Sequence, residues 1–141
     1  MKKPRITRRV TIEVEFHHVD MLQVVHNSQY FKWFEKGRLQ FLEEFCPVSY
    51  ALANNIATPV VMNHCEYLSP AAYGDELVVT TRHFIKEQWD GRFLFEHHIS
   101  NKKTKVELCH GETAVTVLDF KTGKLVKEIP EELWEKYHSL V

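Results

Sequence analysis

Cysteine is scarce in this sequence and follows no pattern. Cys46, Cys65 and Cys109 are the only three, and no two of them stand in a C-x-x-C spacing. An odd, scattered set supports neither a disulfide framework nor a structural zinc site, and it reads as buried thiols of a protein kept in a reducing cytoplasm. No run of about 18 apolar residues exists, so no membrane span is expected. The basic start Met1-Lys2-Lys3-Pro4-Arg5 has no apolar stretch behind it and does not make a signal peptide. Neither sign of charge is in excess. Lys plus Arg number 18 and Asp plus Glu 19, for a formal net charge of -1, which lacks the basic surplus that nonspecific nucleic-acid binding requires. There are no repeats, no low-complexity tracts and no composition break, so residues 1–141 are expected to form a single domain. Apolar residues make up 44%, enough for a core and too many for wholesale disorder.

The pattern of that apolar content is specific. Val10, Ile12, Val14 and Phe16 alternate with Thr11, Glu13 and Glu15, which predicts a half-buried strand over 10–16. His17 to Val25 then breaks the alternation and reads as a loop or irregular crossing. From Ser28 the period changes. Tyr30, Phe34, Gly37, Phe41 and Phe45 share one helical stripe, widened by Phe31, Trp33 and Leu42, while Lys32, Glu35, Lys36, Arg38, Glu43 and Glu44 cover the remainder. Asn27 or Ser28 is the expected N-cap, and Pro47 the stop. Gly37 weakens the helix by roughly 1 kcal/mol against Ala, so its presence predicts close approach to a strand. A short second helix is expected over 48–55.

After Thr58-Pro59 four further strands follow: 60–68, 76–86, 93–100 and 105–119. They are separated by Tyr73-Gly74-Asp75, Asp90-Gly91 and Asn101-Lys102-Lys103-Thr104, and the last is expected to be broken or bulged near Gly111. Pro130 opens a short terminal helix. The fold class is therefore α+β, a curled antiparallel sheet of about five strands wrapped around one long central helix.

An acid, Asp20, stands between the first strand and that helix. The apolar pair Val24-Val25 follows, and Tyr30 comes ten residues after the acid. With Trp33, Thr58-Pro59-Val60-Val61, Tyr73-Gly74-Asp75, Ile85-Lys86-Glu87 and Ile129-Pro130 in order, nearly the whole chain resembles the hotdog-fold acyl-CoA thioesterases of the 4-hydroxybenzoyl-CoA thioesterase group. The resemblance implies an acyl-CoA substrate, no cofactor and a homodimer or homotetramer in which two sheets join edge to edge, with the active site at the dimer interface. It matches Asp20 to the family's catalytic carboxylate and Asn27 to the position whose backbone N–H polarises the thioester carbonyl. His26 stands one residue before the place where a related branch carries a histidine. Gln23 replaces the glycine usual three residues after the acid. Tyr30, Thr58, Pro59, Val60 and Arg92 are the expected substrate contacts, although the basic cluster that meets the nucleotide phosphate in the hydroxybenzoyl branch is reduced here to Arg92.

The residues support that chemistry on their own terms. Thioester hydrolysis needs an oxygen that attacks the carbonyl or activates water, which Asp20 supplies as nucleophile or general base. It also needs a fixed positive end for the oxyanion, which unpaired N–H groups at a helix start supply. Two other readings stay open: a hotdog module that binds acyl-CoA without cleaving it, and a hotdog enoyl-CoA hydratase using Asp20 and His26. The nine histidines include adjacent His97 and His98, which must point to opposite faces of a strand, and no metal site is expected.

Overall fold

The computed structural model describes residues 5–141, so the basic start at 1–4 lies outside the described residues. The elements are β1 (Arg5–Glu13), α1 (Gln29–Phe45), α2 (Val48–Ala53), β2 (Ile56–Ala57), β3 (Val60–Tyr67), β4 (Glu76–Phe84), β5 (Phe93–Asn101), β6 (Glu107–Val115), β7 (Leu118–Asp119), β8 (Lys124–Leu125) and α3 (Glu131–His138). Five strands form one antiparallel sheet in the order β1-β4-β5-β6-β3, and β2, β7 and β8 form a second, smaller one that periodicity did not reveal. This is the hotdog architecture, a sheet curled around α1.

The helix sits close because glycine lets it. A Cβ on Gly37 would lie 2.1 Å from Thr81 Oγ1 and 3.1 Å from Val79, so the expected close approach is real. Phe34 stacks on His97 of β5 (centroids 4.4 Å apart), and Phe41 meets Phe95 edge to face. Two apolar clusters result. One lies around Tyr30, Trp33 and Phe34 at the start of α1, the other around Phe41, Phe45, Phe93 and Tyr137 at its end. Between them runs a buried polar chain. The Thr81 hydroxyl reaches His97 Nδ1 (2.9 Å), His97 Nε2 reaches Thr113 Oγ1 (3.1 Å), and that hydroxyl donates to Asn63 Oδ1 (2.8 Å). His98, facing the other way, is half-exposed, as the alternation requires.

Four expectations need correction. The first strand runs Arg5–Glu13, and Phe16 opens a 3-10 turn (Phe16–His18) with 79% of its surface exposed, so the alternation that assigned it to the core had already ended. Arg38 is not on the solvent side: it is buried, 3.9 Å from Glu35, and burial holds its guanidinium below its usual range. The irregularity expected near Gly111 does lie in β6, but at Leu108: Ile99 faces Cys109 and Ser100 faces Glu107, while Gly111 itself is paired in register under the Phe34 ring. Cys46 and Cys109 are buried thiols, but Cys65 is only half-buried.

The two sheet edges differ. β1 carries Arg5, Arg8 and Arg9. β3, sequence VVMNHCEY, has no Lys, Arg or Pro and not one buried residue along its length. No helix among the described residues is long and apolar enough to cross a membrane.

Candidate active site

Between β1 and α1 the chain makes a small hairpin. Val19 bridges Val25, Asp20 N–H donates to the Val24 carbonyl (3.0 Å), and His26 N–H donates to the His18 carbonyl (3.0 Å). The hairpin is tied to the loop before β4, where Val25 N–H donates to the Ala71 carbonyl (2.9 Å) and Val24 bridges Ala72. Asp20 sits at the tip, exposed. Its Oδ1 accepts the Leu22 N–H at 2.8 Å, an Asx turn that fixes the carboxylate and leaves Oδ2 free. Gln23 closes the turn with φ of +64°, the left-handed region that favours glycine, which gives a physical reason for the glycine usual there in the resembling family.

The start of α1 is capped in an unforeseen way. Ser28 is the N-cap but makes no side-chain cap bond. The cap is His26, whose Nδ1 accepts the Ser28 N–H (3.2 Å) and lies 2.8 Å from Ser28 Oγ. That ring nitrogen is therefore occupied, and Nε2 is the one left to face a substrate. Asn27 N–H finds no acceptor among the described residues, while the Asn27 carbonyl accepts from the Tyr67 hydroxyl at 2.9 Å. An unpaired amide at a helix start is an anion donor in waiting.

Asp20 and Asn27 open onto different hollows of the single chain. Asp20 lines a space of about 670 Å³ with Phe16, Val19, Met21, Gln23 and Tyr73. Asn27 lines one of about 340 Å³ with Val25, Tyr30, Tyr67, Leu68, Ser69 and Pro70. Tyr30 forms its floor; it is core and only slightly exposed, and burial raises its hydroxyl to about 12. Thr58, Pro59, Val60 and Arg92 lie at the other end of the sheet, where β3 begins and where Val60 and Phe93 both pair with Val115. One chain thus holds the expected residues in two groups at opposite ends of β3. Tyr67, Phe16 and Tyr73 were missed from sequence. No motif marks Tyr67, Tyr73 was read only as part of the Tyr73-Gly74-Asp75 turn block, and the alternating pattern placed Phe16 inside.

Other chemistry is weaker here. Burial pushes the Cys65 and Cys109 thiols up, away from thiolate reactivity. Glu15, His17 and His18 bring a carboxylate and two imidazoles within 4.8 Å of one another. However, His18 Nδ1 already accepts the Glu15 N–H (2.9 Å), which leaves a hydrogen and no lone pair on Nε2 of the neutral ring. That tautomer is a poor ligand, and the three residues are better read as a capped turn.

Comparison with known proteins points one way. A family model described as "Thioesterase-like superfamily" matches residues 14–137. The long-chain acyl-CoA thioesterase FadM of Escherichia coli (strain K12) is 34% identical over 131 residues, covering 92% of this chain and 96% of that protein. The crystal structure of the hypothetical protein TT1821 from Thermus thermophilus superimposes with a TM-score of 0.80 at 26% identity, over 96% of this chain and 98% of that one. Slr0204, a 1,4-dihydroxy-2-naphthoyl-CoA thioesterase from Synechocystis, shares the fold with a TM-score of 0.79 at 20% identity, over 95% and 97% of the two chains.

Proposed function

This chain belongs to the thioesterase-like superfamily, and from that we propose that it hydrolyses an acyl-CoA thioester to the free acid and CoA, with Asp20 and the Asn27 N–H as the working pair. The reading is supported by an exposed, turn-fixed carboxylate on the hairpin that leads into α1 and by an amide at the start of that helix with no acceptor among the described residues, the two opening onto neighbouring but separate hollows of the single chain. The Asn27 N–H takes the thioester oxygen as charge builds on it, at little reorganisation cost because the helix already fixes its direction. Asp20 takes the proton of the water that attacks the carbonyl carbon, or attacks the carbon itself to form a mixed anhydride that water then hydrolyses to the free acid and the restored carboxylate. The C–S bond then breaks, sulfur leaves as the CoA thiolate and gains a proton, and the water oxygen ends in the acid.

The split of the expected residues supports a homodimer joined through β3. An edge of eight residues with no Lys, Arg or proline, with Val60, Val61 and Tyr67 exposed along it and Leu68 exposed just beyond it, is a template for pairing, whereas the arginines guard the β1 edge. Antiparallel pairing about a two-fold axis sets the start of one β3 beside the end of the other. Thr58, Pro59, Val60 and Arg92 of the partner subunit then come to the Asp20–Asn27 end, and each dimer holds two complete sites. Arg92 is the cation available there for the CoA phosphates.

The test is thiol release from a panel of aryl- and fatty-acyl-CoA esters, run beside Asp20→Asn, with mass in solution measured by sedimentation. The expected result is turnover by a dimer and loss of nearly all turnover in the variant. Wild type that binds the esters and cleaves none is a binding module; Asp20→Asn turnover equal to wild type removes the carboxylate from the mechanism.

A further inference from the structure

The peptide groups around Asn27 are held on every side but one. His26 N–H donates to the His18 carbonyl (3.0 Å), and the His26 carbonyl accepts from the Gln29 N–H (3.0 Å). The next peptide unit is gripped at both ends: His26 Nδ1 accepts its Ser28 N–H (3.2 Å), and the Asn27 carbonyl accepts from the Tyr67 hydroxyl (2.9 Å). Of these groups only the Asn27 N–H has no partner among the described residues. Three of the holds are local, made within the segment 18–29. The other comes from 40 residues away, from the last residue of β3. Among the described residues it is the single hydrogen bond between that strand and the turn at 26–28.

The surroundings of Tyr67 suit that hold. Its ring meets the Tyr30 ring edge to face, centroids 5.2 Å apart, and Tyr30 is core. Just beyond it, Leu68 N–H and Ser69 N–H both donate to the Leu108 carbonyl (2.8 and 3.1 Å), which ties the exit of the strand to β6. Burial at the hydroxyl end, ahead of the Cys65 thiol beside it, pushes the phenol up to about 12, so it keeps its proton throughout the neutral range. That proton is committed to the Asn27 carbonyl. Tyr67 is therefore neither a general base nor a donor to the thioester oxygen, and it acts on the reaction through Asn27.

We propose that Tyr67 is the positioning residue of the site and the link by which pairing at β3 governs it: its hydroxyl fixes the backbone torsion beside the Asn27 amide, and does so from the edge through which the dimer is proposed to join. The inference rests on the hydrolase reading above. Without the hydroxyl, the peptide unit between Asn27 and Ser28 rests on the His26 ring alone, and the Asn27 N–H sweeps a wider cone. Displacing a working group by about 1 Å costs on the order of 100-fold in rate. Unpaired, β3 is bonded on one side only, to β6, and opens locally at low cost. Paired, it is held on both sides, and Tyr67 with it.

The experiment compares wild type, Tyr67→Phe, Asn27→Pro and the double variant on the ester of the panel that wild type cleaves fastest. Tyr67→Phe loses one hydroxyl from a side chain that is 46% exposed, so its melting temperature is expected to stay within about 4 °C of wild type. Its kcat is expected to fall roughly 10- to 100-fold, with KM within about twofold. In the Asn27→Pro background the same change is expected to lower kcat less than about twofold, because the amide that Tyr67 positions is gone. An unchanged kcat, a raised KM with kcat kept, or losses that multiply in the double variant overturn the proposal.

The link to pairing is read without substrate, from the amide nitrogen resonance of Ser28, which shares a peptide unit with the held carbonyl. Val61→Lys supplies a chain whose edge cation blocks pairing. The resonance is expected to shift on Tyr67→Phe, and to shift on Val61→Lys only where the Tyr67 hydroxyl is present. A resonance that ignores Tyr67→Phe, that ignores Val61→Lys, or that moves on Val61→Lys equally with and without the hydroxyl overturns the proposal. So does a Val61→Lys chain that is still dimeric by sedimentation. Should wild type cleave no ester, the hydrolase reading fails, and the resonance still decides whether Tyr67 sets the turn.

Discussion

The Phe34 ring lies nearly parallel to the His97 imidazole, 4.4 Å away and tilted by only 10°. The imidazole is wholly buried, and both its nitrogens are engaged by threonine hydroxyls, an arrangement that suits the neutral ring. Burial drives His97 down to about 3. His83 is similar: Tyr137 Oη lies 2.7 Å from Nε2, Nδ1 lies 2.8 Å from the Leu94 carbonyl, and burial lowers the ring to about 4.

Acid therefore acts on the fold through these two rings. Both folded values lie below the ordinary 6.5, so the unfolded chain binds protons that the folded chain refuses. The stability they hold is complete above about pH 6.5 and is lost as pH falls toward 4 and then 3. Each ring accounts for a loss on the order of 3–5 kcal/mol over that span. Urea unfolding at pH 7.5, 6, 5 and 4.5 is expected to show this decline, and His97→Gln, less stable at neutral pH, is expected to show a shallower one. Equal slopes in the two proteins would remove His97 from the account.

Gly111 is the position least tolerant of a side chain. A Cβ there would stand 2.1 Å from the His64 carbonyl oxygen of β3 and 2.7 Å from the Phe34 ring, with backbone on one side and a packed aromatic on the other. Gly111→Ala is expected to cost about 3 kcal/mol or more and to loosen β3. Thermal melting together with hydrogen exchange of the β3 amides reads both effects.

Gln23 offers the opposite case. Its φ of +64° strains any residue with a Cβ. Gln23→Gly is expected to stabilise the hairpin and to raise overall stability by about 0.5–1 kcal/mol. A drop in melting temperature would mean that the Gln23 side chain holds the turn by contacts that outweigh the strain.

The role of Asn27 is assigned to its backbone, which a side-chain change cannot delete. Asn27→Ala is accordingly expected to keep turnover within a few fold. Asn27→Pro removes the N–H itself and is expected to lower kcat by roughly 100- to 1000-fold, with the helix content verified by circular dichroism. If the alanine variant loses as much as the proline variant, the carboxamide and not the amide is the donor.

Much of the framework was legible in the sequence. The change from a two-residue to a 3.6-residue period located β1 and α1, and Gly37 gave away the helix-to-sheet approach because propensity alone disfavours it. The failures have physical causes. Arg38 read as a surface cation because a long side chain on the margin of an apolar stripe can turn either way, and only the fold buries it. Phe16 continued an alternation whose strand had already stopped, since nothing local marks where β1 gives way to a 3-10 turn. The capping role of His26 depends on a side-chain geometry that residue type does not announce. The distance between the Asp20 group and the Thr58–Val60 group is a property of the sheet, invisible to any local pattern.

The unequal borders of the sheet set a limit on growth. With β3 paired as proposed, a ribbon with one bare margin (β3) and one margin studded with guanidinium groups (β1) adds a single neighbour and then presents only its repellent sides. Fibrils need both margins receptive, so on that arrangement replacing Arg5, Arg8 and Arg9 with apolar residues is expected to open a second receptive margin and promote polymerisation, read by light scattering.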